Sequence, residues 1–233
     1  MEGSLHRQLK ERYGPEAGGR AEVVVGGFRV DAIAADGRLI EVQAGPLSRL
    51  KGKLGRLLPD REIGVVKPIV VTRRVVRRDR RTGVDLGARR SPKRGALLDV
   101  FEELVGLTRI FPHANLAVDL LGVDVDEIRV ARRRKPGYEV IDRVLREVVE
   151  TVRLREADDL WSLLPDDLPA RFTTGELAER LARPVAFARQ VAYCLLHCGS
   201  ADVVAKDGRR RLFARKGISA RLSATTLPTG RGR

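Results

Sequence analysis

Residues 63–72, IGVVKPIVVT, form a nearly unbroken run of Val and Ile. A strand with one wet face alternates apolar and polar side chains; this run does not, so it belongs inside a sheet covered on both faces. The chain before it supplies the covering elements. Residues 5–13 have helical spacing, with Leu5 and Leu9 four apart and charged residues between them, and Gly14-Pro15 stops the helix. Short β-rich runs follow at 21–25, 28–34 and 38–43, separated by Gly26-Gly27 and Asp36-Gly37, which is turn chemistry of the hairpin kind. After the break at Gly45-Pro46, apolar residues at 47, 50, 54, 57 and 58 lie on one stripe of an amphipathic helix. Helix, three strands, helix and buried strand predict a compact α/β core with a mixed sheet.

Beyond the core, residues 73–92 read as an arginine-rich hairpin around Asp79-Arg80-Arg81-Thr82-Gly83. A helix is expected at 97–110, a strand at 128–132, and a connector helix of alternating charge at 139–154. Pro165 and Pro169 mark a boundary, so the first domain is placed at 1–160. Thr173 with Glu176 three residues later is a capping-box signature for a short helix ending near Leu181. Pro184 suits the first position of a second helix, which carries Ala188, Val191, Ala192, Leu195 and Leu196 inward and ends near His197. Two short strands, 201–205 and 209–214, flank the turn Lys206-Asp207-Gly208. Residues 170–218 therefore resemble a winged helix-turn-helix, and 219–233 are expected to be a basic disordered tail. Such a domain would present Arg189, Gln190 and Tyr193 outward on its recognition helix.

Charge narrows the function. The 233 residues carry 45 Lys and Arg against 31 Asp and Glu, a formal net charge of +14, and only eight of the cations are lysine. Residues 71–94 and 205–233 each hold a net +8, so the rest of the chain sums to about −2. Cations concentrated in this way suit a polyanion, because clustered positive charge releases the counterions of phosphates. The hairpin residues Arg73, Arg74, Arg77, Arg78, Arg80 and Arg81 and the wing residues Arg209, Arg210 and Arg211 are the candidate nucleic-acid contacts. No apolar run is long enough to span a bilayer, the first residues have no apolar signal core, and Cys194 and Cys198 are no disulfide framework. These features predict a cytoplasmic protein, nucleoid-associated in a bacterium, with no membrane partner.

The chemistry resides in the first hairpins. Asp31 falls in the second strand and Glu41 in the third, with Gln43 on the same side as Glu41 because strand side chains alternate. Two carboxylates held close at a sheet edge repel, and a hard divalent cation relieves that cost; oxygen ligands suit Mg²⁺ or Mn²⁺. This arrangement, Val30-Asp31 followed by Glu41-Val42-Gln43 within residues 1–72, resembles the PD-(D/E)XK nuclease superfamily of restriction enzymes and Holliday-junction resolvases. The resemblance implies that Asp31, Glu41 and the Val42 carbonyl ligate metal, and that Glu11, or less well Glu2, is the acidic residue some members add from the first helix. Gln43 departs from the lysine usual there. Some members use glutamine, and in others the lysine lies on the following helix, where Lys53, ahead of Lys51, is the candidate.

Competing chemistry has less support. Cys194, His197 and Cys198 share a helical turn but lack a fourth zinc ligand, and read as core positions. His6 and His113 have no evident partner in sequence, and phosphate-loop, dinucleotide-binding and nucleophile-elbow motifs are absent. The expected function is metal-dependent endonuclease cleavage of duplex DNA. The alternatives are a catalytically inactive nuclease-fold regulator and an RNA-binding or RNA-processing protein. Many such nucleases are homodimers, although no symmetric interface is legible here.

Overall fold

The computed structural model describes residues 3–208 and 210–217. Its main sheet has seven strands, in the order β1 (Arg20–Val25), β2 (Phe28–Ile33), β3 (Leu39–Val42), β4 (Ile63–Arg78), β6 (Leu116–Ala131) and β7 (Tyr138–Leu154), with β5 (Asp85–Arg90) paired to β4. Helix α1 (Ser4–Tyr13) precedes β1 (Arg20–Val25), β2 (Phe28–Ile33) and β3 (Leu39–Val42), and α2 (Lys51–Leu57) leads to β4 (Ile63–Arg78). The apolar run is the first half of β4, parallel to β3 on one side and to β6 (Leu116–Ala131) on the other. The second half of β4 turns back as an antiparallel hairpin with β5 (Asp85–Arg90), so β3 and β5 share one edge of the same long strand.

The expected double covering of β4 is present. Leu50, Leu54 and Leu57 around α2 pack with Val65, Ile69, Phe101 and Leu104 on one face. On the other face Leu5 and Leu9 of α1 meet Val66, Leu121 and Val123. A long strand clothed this way stays extended because neither face can be wetted without exposing apolar surface, at roughly 25 cal/mol per Å².

Three expectations from sequence are corrected. Residues 139–154 are no connector helix; they lie in β7 (Tyr138–Leu154), antiparallel to β6. Their charges pair across the ladder, Arg153 with Asp119 and Arg143 with Glu127, which a lone helix could not have achieved. The strand expected at 128–132 is the end of a sixteen-residue strand. The helix expected at 97–110 is a 3₁₀ turn (Leu97–Asp99) and the short α3 (Val100–Leu104), continued by turns. Gly106 there backs onto Ser48, where a Cβ would come within 3.1 Å of the serine Cβ.

A 3₁₀ segment (Ala157–Leu163) leads to β8 (Arg171–Phe172), α4 (Thr174–Leu181), α5 (Val185–His197), β9 (Ala201–Asp207) and β10 (Arg210–Arg215). These three strands form a separate sheet in the order β8-β10-β9. The capping box is formed: Thr173 Oγ1 accepts from the Glu176 N–H at 3.3 Å, and the Thr173 N–H donates to Glu176 Oε2 at 2.7 Å. The second unit is not tethered loosely. Its buried Phe187, Val191 and Leu195 belong to the same apolar cluster as Phe101 and Leu104, and Arg183 pairs with Asp99 at 2.5 Å. Residues 219–233, expected to be a basic tail, lie outside the described residues.

Candidate carboxylate site and basic surfaces

Strands β2 and β3 pair through Ala32–Ile40 and Ile33–Leu39 and then part. At the fork the Asp31 side chain takes over from the ladder: its Oδ2 accepts the Val42 N–H at 2.8 Å. The Val42 carbonyl lies on the same strand edge as its N–H and so faces the same fork. Glu41, one residue earlier, is buried beside it. From α2 the Lys53 ammonium reaches across to Glu41 Oε1 at 2.7 Å and Oε2 at 2.8 Å, and donates to the Arg29 carbonyl at 2.7 Å. Asp31, Glu41 and Lys53, three of the residues singled out from sequence, are thus one cluster.

Burial would raise both carboxyl pKa values. Burial and the nearby negative Asp31 outweigh Lys53 at Glu41, whose carboxyl is held above its ordinary value. At Asp31 the effect of burial is overcome by the hydrogen bonds from His6 and the Val42 N–H and by the Lys53 charge, so its carboxyl sits below its ordinary value.

Other candidates fall elsewhere. Gln43 does not point at the pair; its Nε2 donates to the Pro46 carbonyl at 3.1 Å, at the turn. Glu11 is exposed and has no hydrogen-bond or ion-pair partner among the described residues. The α1 residue that meets the site is His6, whose Nε2 is 3.2 Å from Asp31 Oδ1. Glu2 lies outside the described residues, and Lys51 is exposed on α2. Among the described residues no group of three or more His, Cys, Asp or Glu is arranged to hold a metal ion. Cys194 and Cys198 are core residues as expected; burial pushes the Cys198 thiol up to about 12 and Cys194 further.

Sequence reasoning missed three features here. His6 carried no signal, because the strand it meets begins 22 residues later. Glu22, across the hairpin from Asp31, has a left-handed φ of 54°, and its carboxylate bonds Lys10 at 2.8 Å and Arg29 at 2.5 Å. A non-glycine residue held there costs about 1 kcal/mol or more, a strain often found beside functional groups. Lys67, in the apolar run itself, is 2% exposed; its Nζ meets Glu103 at 2.7 Å and donates to the Gly45 carbonyl at 2.9 Å. A lysine in such a run was the available signal, since a buried ammonium requires a partner.

The basic candidates divide into paired and open cations. Arg74 is held bidentate by Asp126 at 2.7 and 2.6 Å, Arg78 by Asp85 at 2.6 Å, Arg73 by Glu127 at 3.4 Å, and Arg80 by Glu139. Arg77 and Arg81 are exposed, with no carboxylate in ion-pair range among the described residues. The turn between β6 and β7 adds an unforeseen run, Arg132-Arg133-Arg134-Lys135, exposed at the same end of the sheet because Arg78 and Val130 are register partners. Arg189, Gln190 and Tyr193 do face outward on α5, and Arg210 and Arg211 are exposed on β10. Arg209 lies outside the described residues. Among the described residues no helix is long and apolar enough to cross a membrane.

The molecule is therefore a mixed α/β protein with a carboxylate–lysine cluster at the fork of its main sheet. It belongs to the family described as Domain of unknown function (DUF8091), whose model matches residues 3–155, from α1 to the end of β7. A protein of Treponema pallidum (strain Nichols), titled Uncharacterized protein, is 31% identical over 222 residues, covering 92% of this chain and 86% of its own. That likeness reaches well into the second unit. No solved structure matches.

Proposed function

We propose that this protein is a metal-dependent DNA endonuclease with a restriction-endonuclease-like core and a C-terminal winged helix. The observation that carries the reading is the fork: Asp31 on β2 and Glu41 on β3 are brought together beside a strand carbonyl, with Lys53 delivered by the next helix. The donors are hard oxygens, as Mg²⁺ or Mn²⁺ requires, and Asp31, Glu41 and the Val42 carbonyl would hold the ion. When bound, such an ion lowers the pKa of a water and stabilises charge developing on a phosphate. The chain's own residues orient the site. The Val42 N–H and His6 fix the Asp31 carboxylate, and Lys53 sets Glu41; to meet a phosphate oxygen it would exchange one of its three present bonds, to Glu41 or the Arg29 carbonyl. The open arginines of the β4–β5 tip would hold the backbone, and the exposed face of α5 with β10 would contact the nucleic acid.

A second reading, a nucleic-acid-binding protein without turnover, is favoured by one observation: Lys53 already engages both oxygens of Glu41, and Gln43 is turned away. Cleavage of supercoiled plasmid, linear duplex, single strands and matched RNA, with Mg²⁺ or Mn²⁺, separates the two. The nuclease reading expects cutting that Asp31→Ala and Glu41→Ala both abolish while DNA binding survives. Binding without cutting on every substrate supports the second reading, and cutting that persists in both variants removes the site assignment.

A further inference from the structure

The outer face of α5 and the strand β10 enclose a cleft of about 530 Å³, within the range of small-ligand sites. Its floor is apolar, from Ala192, Leu196 and Phe213, and its rim carries Arg189, Arg210 and Arg211. Arg189, Arg210 and Arg211 all line it, and among the described residues no carboxylate does. Between floor and rim lie two stacked rings. The Tyr193 and His197 centroids are 3.8 Å apart, with their planes inclined by 25°. His197 Nδ1 donates to the Tyr193 carbonyl at 2.9 Å, which fixes the imidazole orientation and leaves Nε2 as the outer polar atom. Tyr193 is 41% exposed although it is large and aromatic.

Aromatic planes and clustered guanidiniums above an apolar floor match a flat heterocycle attached to a phosphate. A base in a duplex has both faces occupied by its neighbours and offers a protein only its edges. An unpaired base offers a face, and stacking on an aromatic side chain is worth about 1 to 3 kcal/mol per base. We propose that this cleft binds one unpaired nucleotide of a DNA strand, its base stacked on the Tyr193–His197 pair and its phosphates held by Arg189, Arg210 and Arg211. The inference rests on the nucleic-acid reading and narrows it: the preferred substrate contains a junction between duplex and single strand. The second unit then recognises an end, flap or gap through the cleft and places the adjoining duplex against the first unit.

The test measures binding in EDTA, without cleavage, for a blunt DNA hairpin closed by a polyethylene-glycol linker so that it holds no unpaired base, the same hairpin with a ten-thymidine 3′ tail, and dTMP. The tailed hairpin is expected to bind wild type about tenfold tighter than the blunt one. Tyr193→Ala should erase that advantage and Tyr193→Phe should keep it, with unchanged thermal melting because residue 193 is exposed. Equal binding of the two hairpins, or a Tyr193→Phe loss as large as that of Tyr193→Ala, overturns the proposal. dTMP binding as tightly as the tailed hairpin overturns the strand assignment in favour of a free nucleotide. Tailed-hairpin binding untouched by Tyr193→Ala, with both hairpins still bound tightly, removes the cleft alone, whereas no binding to either hairpin removes the nucleic-acid reading with it.

Discussion

Replacing Lys53 by methionine tests the electrostatic core of the candidate site. The substitution keeps the length and most of the apolar stem but removes the ammonium that bonds both Glu41 oxygens and the Arg29 carbonyl. The side chains involved are 19% exposed for Lys53 and 9% for Glu41, so solvent cannot replace the lost partner. Removing one member of such a pair typically costs about 3 to 5 kcal/mol. The cost depends on pH in a definite direction. The Glu41 carboxyl is already above its ordinary value through burial and Asp31, and loses its main opposing influence in the variant. A group whose folded pKa is raised is stable in its place below its unfolded pKa and loses that stability as pH rises through the folded one. Lys53→Met should therefore be nearly tolerated around pH 4 and most destabilising at neutral pH. Urea denaturation followed by circular dichroism from pH 4 to 8 measures this. The double variant Glu41→Met with Lys53→Met should recover most of the stability, since a matched apolar pair is often no worse than a buried ion pair. In the single variant, Mg²⁺ at ten times a millimolar Kd would add about 1.4 kcal/mol, or roughly 3 to 6 °C in Tm, more than in wild type. A neutral-pH cost below about 1 kcal/mol, or a double variant no more stable than the single, would refute the reasoning.

Two further outcomes follow from how the arginines are paired. Arg77→Ala and Arg81→Ala should each weaken duplex binding and lower the magnitude of the salt slope by about one, while leaving melting unchanged. Arg74→Ala, which leaves Asp126 without its bidentate partner, should instead lower stability; equal binding losses at all three positions would contradict the division into open and paired cations. Glu127→Gln should cost about 3 kcal/mol at neutral pH, because its carboxylate, 1% exposed, gathers Arg73, Arg129 and Arg143. Burial opposes its ionisation, but hydrogen bonds from Arg129 and Arg143 hold the carboxyl below its ordinary value. That contribution exists above the unfolded pKa and disappears as pH falls through the folded one, so wild type and variant melts should converge as the pH falls below the ordinary glutamate range.

The amino-acid order alone determined whatever depends on near neighbours. The apolar run at 63–72 required a strand covered twice, and β4 is one. The leucine stripe at 5 and 9 gave α1, Gly26-Gly27 and Asp36-Gly37 marked the hairpin turns, and Thr173 with Glu176 capped α4 as spaced. Asp31 and Glu41 were legible as a pair because hairpin pairing and strand alternation fix which side chains share a face, and Lys53 joined them through the resemblance to nucleases with a lysine on the following helix. Tertiary structure decided the rest. Residues 139–154 have charges at intervals that suit a helix, and their Val and Ile content suits a strand equally. The partner β6 settled it by offering Asp119, Asp124 and Glu127 to Arg153, Arg146 and Arg143 across the ladder. His6 meets Asp31, and Lys67 meets Glu103, only because α1 and α3 dock on opposite faces of the sheet. Gln43 and Glu11 carried the right residue types but not the right directions: a turn claimed one side chain and solvent the other. Local spacing fixes which face a side chain leaves from. Which partner it meets there depends on elements far away in the chain, whose packing minimises exposed apolar area and unpaired charge together.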